Sequence, residues 1–262
     1  MTMIIQTALT IGGAGLVCGG ALALAARFLA VKEDPRVAEV DEILPGANCG
    51  GCGYAGCAAY AEAVVLEDAP INLCAPGGAE ILDKLADATG QTAQMAEHQV
   101  AVVLCGGEVE NAPRKFDYNG VADCRAAHET GGGDKVCTYG CLGYASCSRA
   151  CPVGAIEIVN GIAKVHPDLC ISCQVCVRTC PRNLIKMVPY ARKIHVMCSS
   201  KDKGPVVKKA CKVGCIGCTI CTKLAEDDAI KMEGFLAVVD YEKELDNDAV
   251  IEKCPGKCIV RI

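Results

Sequence analysis

The sequence predicts an α+β fold with a single N-terminal transmembrane helix, a small helical 4Fe-4S domain, and two related ferredoxin-like units in tandem, the second of them degenerate. Three observations predict this order. Residues 3–31 are almost entirely apolar, a cysteine pattern recurs after 74 residues, as from Cys137 to Cys211, and apolar residues alternate on both sides of Asn160-Gly161, a strong hairpin signal. The predicted domains are residues 1–31, 32–112, 113–195 and 196–262.

The apolar run at 3–31 contains one charged residue, Arg27. At about 1.5 Å of rise per residue, a helix of this length spans a bilayer core. Arg27, Lys32 and Arg36 flank only its C-terminal end, so the positive-inside rule predicts a single-pass protein of the cell membrane with the rest of the chain in the cytoplasm. A signal peptide is disfavoured, because no basic residue precedes the run.

The first cysteine-rich segment is the turn NCGGCGYAGC, which contains Cys49, Cys52 and Cys57 and is followed further on by Cys74. The glycines of this turn let the backbone bend around a bulky group without Cβ clashes. Four thiolates can hold either a 4Fe-4S cluster or a structural zinc ion. The ferredoxin-type spacing found further along the chain favours iron and sulfur, so a 4Fe-4S site is predicted here.

Two more cysteine runs, each ending in Cys-Pro, lie between residues 137 and 181. The second has the spacing typical of bacterial ferredoxins, in which the fourth cysteine binds the other cluster. A ferredoxin-like unit with two 4Fe-4S clusters is therefore predicted. The predicted ligands are Cys137, Cys141, Cys147 and Cys180 for one cluster, and Cys151, Cys170, Cys173 and Cys176 for the other.

Moving both ligand sets along the chain by 74 residues gives two different results. The first set falls on Cys211, Cys215, Cys221 and Cys254. The second set falls on Ala225, Glu244, Asn247 and Val250. All four ligands of one cluster are missing together, as an all-or-none metal site predicts. The sequence thus predicts a degenerate one-cluster ferredoxin-like repeat, and four 4Fe-4S clusters in the whole chain.

Spacing leaves one ligand of the last cluster open between Cys211 and Cys218, since Cys218 makes two-residue gaps with both of its cysteine neighbours. The cysteines that remain are expected to be buried as small hydrophobic residues. They are Cys18, Cys105, Cys124, Cys198 and Cys258. Regular two-residue gaps suit metal clusters better than a disulfide framework, so a reducing compartment is predicted.

Charge is unevenly distributed along the chain. Residues 113–223 contain 17 basic and 7 acidic residues, a net charge of +10, whereas residues 32–112 contain 3 basic and 14 acidic residues, a net charge of −11. A basic block around clusters suits an acidic electron carrier. Nucleic acid is disfavoured as a partner, because basic residues interleave with cysteines and the chain has few aromatic residues for base stacking.

The chain as a whole resembles the B subunit of the Rnf complex, the membrane-bound ion-translocating ferredoxin:NAD+ oxidoreductase. The resemblance rests on the ordered combination of the apolar N-terminus, NCGGCGYAGC closed by Cys74, CLGYASCSRACPVGAIEI and CISCQVCVRTCP. It implies an electron-transfer subunit of a translocase that moves electrons between reduced ferredoxin and NAD+, coupled to Na+ or H+ transport. It also implies soluble ferredoxin and other membrane and peripheral Rnf subunits as partners, with no direct NAD or flavin binding.

No catalytic residue is predicted, because the chain carries no nucleotide or flavin motif of its own. Since the Cys49 turn follows the apolar run closely, electrons are expected to leave through the Cys49 site near the membrane. Two other functions are compatible with the cysteine pattern. One is an iron-sulfur subunit of another membrane oxidoreductase, and the other is a membrane-tethered zinc-binding scaffold without redox activity.

Overall fold

The computed structural model describes residues 2–28, 34–92 and 97–262. The helices in this part of the chain are α1 (Thr2–Phe28), α2 (Pro35–Ile43), α3 (Cys57–Leu66), α4 (Gly78–Thr89), α5 (Cys124–Glu129), α6 (Ser146–Arg149), α7 (Val175–Thr179), α8 (Gly204–Ala210), α9 (Ile220–Leu224) and α10 (Ala249–Glu252). The strands are β1 (Gln99–Val103), β2 (Ile156–Val159), β3 (Ile162–Val165), β4 (Ile185–Pro189), β5 (Ile194–Val196), β6 (Ile230–Glu233), β7 (Leu236–Val239) and β8 (Ile259–Arg261).

The predicted transmembrane helix is wrong. Although Thr2–Phe28 is helical, none of the helices among the described residues combines the length and the apolar character needed to cross a membrane. The prediction rested on the length of the apolar run at 3–31, and residues 29–31 of that run, with Lys32, lie outside the described residues. The run also contains five glycines and two threonines, which contribute little apolar surface. The single-pass assignment falls with it, while the predicted mixture of helices and strands is present.

Helices α2, α3 and α4 pack around a small apolar core that includes Val40, Val64 and Leu85. Helix α2 begins where Asp34 accepts a hydrogen bond from the backbone N–H of Arg36, with Pro35 in the first turn. The buried Tyr60 ties the segment after α3 to this core. Its hydroxyl donates to the carbonyl of Pro70 at 2.6 Å and accepts from the backbone N–H of Leu73 at 3.3 Å.

Two hairpins confirm the internal repeat. In the first, Ile156 of β2 pairs with Val165 of β3 around the turn at Asn160-Gly161, whose φ angles of 50° and 76° match a type I′ turn. In the second, Ile230 of β6 pairs with Val239 of β7, which is the same register 74 residues later. The hairpin predicted from sequence is confirmed, and both copies use it in the same way.

Each repeat unit is completed by a second antiparallel pair. Strand β1 pairs with β4, with Val103 opposite Ile185, and β5 pairs with β8, with Val196 opposite Ile259. Strand β1 comes from residues well before the first cysteine run of its unit, so the first unit recruits a strand from the preceding sequence range. The two apolar cores that result lie between these sheets and the short helices that carry the cysteines.

We predict that Gly143→Ala destabilises the first repeat unit more than Gly154→Ala does. Both glycines have positive φ, of 80° and 65°, so both substitutions carry a backbone cost of roughly 1–2 kcal/mol. Only at Gly143 would the new Cβ overlap a neighbouring atom, the carbonyl oxygen of Gly161, whereas nothing lies within 4 Å at Gly154. Urea unfolding of the two variants, followed by circular dichroism, measures the difference. Equal losses of unfolding free energy would contradict the close approach of the Gly143 loop to the hairpin.

Candidate metal centres

Site 1 consists of Cys49, Cys52, Cys57 and Cys74. The loop between α2 and α3 carries Cys49 and Cys52, and Cys57 is the first residue of α3. The side chain of Asn48 accepts a hydrogen bond from the backbone N–H of Cys57 at 2.8 Å, which fixes the start of α3. Burial raises the pKa of the Cys74 thiol, and the thiols of the other three site 1 cysteines raise it further. The structure therefore brings the four predicted residues together.

Site 2 consists of Cys151, Cys170, Cys173 and Cys176. The pKa of the Cys176 thiol is raised to about 12, mainly by burial and to a lesser extent by the nearby thiols of Cys170, Cys173 and Cys151. Ionising four neighbouring, half-buried thiols costs free energy unless a bound metal compensates their negative charge. The four residues that the ferredoxin spacing assigns to one cluster are thus neighbours in the structure.

Sites 1 and 2 are in direct contact. The side chain of Arg178, on α7, donates a hydrogen bond to the carbonyl oxygen of Cys49 at 3.0 Å. A Cβ atom on Gly51 would stand 3.0 Å from the carbonyl oxygen of Cys173, so a glycine is needed where the two loops meet. The helical domain is therefore docked through its cysteine loop onto the cysteine loop of the first repeat unit.

Site 3 differs from the predicted set by one residue. Its cavity is lined by Cys124, Cys141, Cys147 and Cys180, and Cys137 does not line it. The pKa of the Cys147 thiol is raised to about 12, mainly by burial and to a lesser extent by the thiols of Cys141, Cys124 and Cys180. The structure keeps three of the four predicted residues together and places Cys124 beside them.

Tyr144 explains why Cys124 is there. Ferredoxin spacing would place a cysteine at residue 144, but the chain has a tyrosine, whose hydroxyl donates to the buried carboxylate of Asp134 at 3.0 Å. Cys124 begins α5, and its backbone N–H donates to the hydroxyl of Ser146 at 2.7 Å, which holds it next to Cys147. Sequence reasoning missed Cys124, and the missing cysteine at 144 was the signal that could have prompted a search for a replacement.

Cys137 and Cys211 lie in a separate cavity between the two repeat units, the interface cavity, which Cys105 and Cys198 also line. Backbone hydrogen bonds join its walls. The N–H of Gly106 donates to the carbonyl of Met197 at 2.9 Å, and the N–H of Lys212 donates to the carbonyl of Asn111 at 2.8 Å. The structure therefore brings Cys137 and Cys211 together with each other, and with two cysteines that had no predicted role.

Site 4 consists of Cys215, Cys218, Cys221 and Cys254, which line one cavity together with Cys258. The pKa of the Cys221 thiol is raised to about 11, mainly by burial and to a lesser extent by the thiols of Cys215, Cys218 and Cys254. Cys211 does not line this cavity. Of the two residues between which spacing could not decide, the structure places Cys218 at this site.

Cys258 lies beneath site 4 and is almost fully buried. Its thiol is 3.7 Å from that of Cys254, and this hydrogen bond is the main reason that the pKa of Cys254 falls to about 5. A second hydrogen bond from Cys258 lowers the pKa of Cys215 to about 6. Cys258 occupies the position of the core residue Leu184 in the first unit, so its place is in the wall of the site.

The part of the second unit that would hold the lost cluster is filled by apolar core. Val250 is 1% exposed and packs in the core of the unit, with Ala225 against it. The side-chain amide of Asn247 donates to the carbonyl of Leu224 at 3.0 Å, which closes the loop over this core. The fourth position, Glu244, is outside this core. None of these four positions carries a thiol, and Ala225 and Val250 are part of the apolar core.

The donor chemistry fits iron-sulfur clusters better than single ions. Among residues 2–28, 34–92 and 97–262, no group of three or more His, Cys, Asp or Glu side chains is placed to hold one metal ion. A structural zinc site needs four sulfurs at about 2.3 Å from one ion. A 4Fe-4S core is larger, so its four thiolates stand further apart, with glycine-rich backbone around them as at Gly51 and Gly143. Thiol quartets with glycines beside them suit such a cluster.

Two protein families match parts of the chain. The family described as "Putative Fe-S cluster" matches residues 44–76, which contain all of site 1. The family described as "4Fe-4S binding domain" matches residues 163–186, which contain three cysteines of site 2 and Cys180 of site 3.

Curated relatives match nearly the whole chain. A protein of Methanosarcina acetivorans, named as the B subunit of an ion-translocating oxidoreductase complex, is 42% identical over 259 residues, covering 98% of each chain. A Clostridium ljungdahlii protein, named as the B subunit of a proton-translocating ferredoxin:NAD(+) oxidoreductase complex, is 42% identical, covering 95% of this chain and 89% of its own. The Acetobacterium woodii protein of the corresponding Na(+)-translocating complex is 43% identical, covering 95% of this chain and 75% of its own.

Proposed function

Because the chain belongs to the family of B subunits of the ion-translocating oxidoreductase (Rnf) complexes, we propose that it accepts electrons from soluble ferredoxin and relays them to the membrane subunits. It is an iron-sulfur electron-transfer subunit of an ion-translocating ferredoxin:NAD+ oxidoreductase. The complex is membrane-associated, and we propose that it couples the transfer to Na+ or H+ translocation. One-electron transfer is the chemistry that 4Fe-4S clusters supply when bound.

The proposed cofactors are 4Fe-4S clusters at sites 1, 2, 3 and 4, the number expected from the sequence. The chain's own residues hold each cluster in a half-buried cavity, exclude water from it and donate hydrogen bonds to its sulfur ligands. The backbone N–H of Ala237 donates to the Cys215 sulfur at 3.3 Å, and the backbone N–H of Ala155 donates to the Cys151 sulfur at 3.3 Å. Such hydrogen bonds, with burial and nearby charge, set the reduction potential of a bound cluster.

The observation that carries the proposal is that sites 1, 2 and 3 follow one another as neighbours, with a cysteine-lined cavity between the first unit and the second. Site 1 meets site 2 where Arg178 donates to the Cys49 carbonyl. Sites 2 and 3 share the two cysteine runs of the first unit, and the thiol of Cys176 is among the charges that act on Cys147. The interface cavity joins site 3 to the second unit, which contains site 4. A series of neighbouring redox sites suits electron relay.

The surface next to site 4 suits an acidic electron carrier. Cys218 is exposed, and the exposed lysines of the same stretch are Lys201, Lys203, Lys208, Lys209, Lys212 and Lys223. Among the described residues none of these six makes an ion pair with a carboxylate. Unpaired positive charge around an exposed redox site attracts an acidic partner at long range. We therefore place the ferredoxin contact here and the exit at site 1, the far end of the series.

The two alternative functions receive less support. The zinc-binding scaffold needs closely spaced thiols, which the described residues do not provide. An iron-sulfur subunit of another membrane oxidoreductase would not account for relatives at 42% identity over 98% of both chains. As part of the proposal, the chain binds neither NAD+ nor flavin nor nucleic acid itself, and the other subunits of the complex do the nicotinamide chemistry.

We predict that Cys52→Ala, which removes one ligand of site 1, separates ferredoxin oxidation from NAD+ reduction. In the complex carrying this variant, reduced ferredoxin should still reduce the remaining clusters, as seen by bleaching of their visible absorption, while NADH formation falls by tenfold or more. The matched control is Cys18→Ala, which removes a cysteine of α1 that belongs to no site and should leave NADH formation unchanged. Undiminished NADH formation by Cys52→Ala would contradict the proposed exit.

We predict that the double substitution Lys208→Glu and Lys209→Glu weakens the ferredoxin contact through charge. At low ionic strength the rate of reduction of this chain by ferredoxin should fall by roughly tenfold, and the difference should shrink as salt is raised, because screening removes long-range attraction. Lys84→Glu is the control, since Lys84 lies in the helical domain and is paired with Glu80. Stopped-flow reduction at several salt concentrations measures the effect. A decrease that does not depend on salt would refute electrostatic docking at this surface.

A further inference from the structure

We infer that Cys105, Cys137, Cys198 and Cys211, which line the interface cavity, hold a fifth 4Fe-4S cluster between sites 3 and 4. The inference rests on the proposed electron-transfer function and extends it. The first two cysteines come from the first repeat unit and its preceding strand, and the other two from the second unit. The cluster would therefore join the two repeat units.

The geometry of the cavity wall places three of the four sulfurs close to the same two glycines. The Cβ position of Gly107 lies 3.5 Å from the Cys105 sulfur and 3.8 Å from the Cys211 sulfur. The Cβ position of Gly140 lies 3.5 Å from the Cys137 sulfur and 3.7 Å from the Cys105 sulfur. Two glycines thus stand where any side chain would project toward the sulfurs. The absence of side chains there leaves space that a bulky inorganic core can use.

A buried lysine supports negative charge in this place. Lys135 is 1% exposed, and its ammonium group donates to the carbonyls of Gly107 at 2.8 Å and Gly161 at 3.1 Å. Among the described residues it makes no ion pair with a carboxylate, and the neighbouring Asp134 pairs with Arg114 instead. The charge of Lys135 acts on the thiols of Cys105 and Cys211. A buried cation without a carboxylate is costly unless other negative charge compensates it, and cluster-bound thiolates provide that charge.

Hydrogen bonds to sulfur distinguish Cys105 from a small core residue. The backbone N–H groups of Cys141 and Gly107 donate to the Cys105 sulfur at 3.2 Å and 3.4 Å. Backbone donors aimed at sulfur are typical of cluster ligands.

The interface cavity lies next to both flanking sites. Cys141, whose backbone N–H donates to the Cys105 sulfur, belongs to site 3. On the other side, the Cβ position of Gly214, the residue before Cys215 of site 4, lies 3.9 Å from the Cys198 sulfur. A cluster in the cavity would close the gap in the series of sites between the two units.

The internal repeat explains why Cys198 is free for this role. Cys124 and Cys198 occupy equivalent positions in the two units, as do Tyr144 and Cys218. In the first unit Tyr144 cannot replace a thiolate, and Cys124 lies in site 3 instead. In the second unit Cys218 lies in site 4, and Cys198 turns to the interface cavity. Five quartets then use every cysteine except Cys18 and Cys258.

Iron and sulfide content of the anaerobically purified full-length chain tests the inference. We expect about 20 irons per wild-type chain, four for each of five clusters, and about 16 in Cys105→Ala and in Cys198→Ala, two residues that no other site uses. The double variant should also contain about 16, because both substitutions remove the same cluster. Cys18→Ala, which removes a cysteine of α1 that belongs to no site, is the matched control that should retain about 20.

The outcomes separate this inference from the proposed function. About 16 irons in the wild type, unchanged in both single variants, would overturn the fifth site and leave the electron-transfer function standing. A loss of about eight irons in the double variant would overturn a shared site. If the variants do not fold, the wild-type count alone decides between 20 and 16. A wild-type chain with stoichiometric zinc and no iron would instead overturn the proposed function itself.

Discussion

The convergence of thiols from distant segments is the constraint on which the fold depends. Three short helices, α6, α7 and α9, each begin after a residue in the left-handed region, Ala145, Gln174 and Thr219, with φ near 60°. Each of these residues lies two positions before a cysteine of site 3, 2 or 4. Such a conformation is unfavourable for residues other than glycine, so it persists where surrounding structure requires it. At the start of each of these three helices, ligation of a cluster by the cysteine that follows would hold the backbone in this conformation.

Duplication followed by divergence explains how one chain supports unlike sites. Both units keep the hairpin and its register, and both keep a cysteine run and a closing strand pair. The second unit has apolar packing around Val250 where we propose that one whole cluster was lost, because a partial ligand set would leave thiolates buried without a metal. Its equivalent of Cys124 is then available to the boundary between units. The loss of one site and the gain of another have the same explanation: a cluster site has either all four cysteine ligands or none.

The spacing of residues close together in the sequence predicted the features that depend on such residues. The Asn160-Gly161 hairpin, the neighbouring cysteines of sites 1 and 2 and the degenerate second unit follow from short-range patterns. The role of Cys105 and the position of Cys124 do not, because these cysteines are isolated in sequence and meet their partners only when strands and units dock. Cys137 was assigned by proximity in sequence to site 3, whereas the structure places it at the interface. The transmembrane helix was inferred from the length of the apolar run at residues 3–31, and the small apolar surface of its glycines and threonines was not taken into account.

The most direct test of the account is to locate the iron atoms. Anomalous diffraction at the iron absorption edge, from crystals of anaerobically purified protein, shows cluster positions independently of any variant. The account predicts five iron peaks in a row, with one between the two repeat units beside Cys105, Cys137, Cys198 and Cys211. Four peaks with no iron density at that boundary would contradict it.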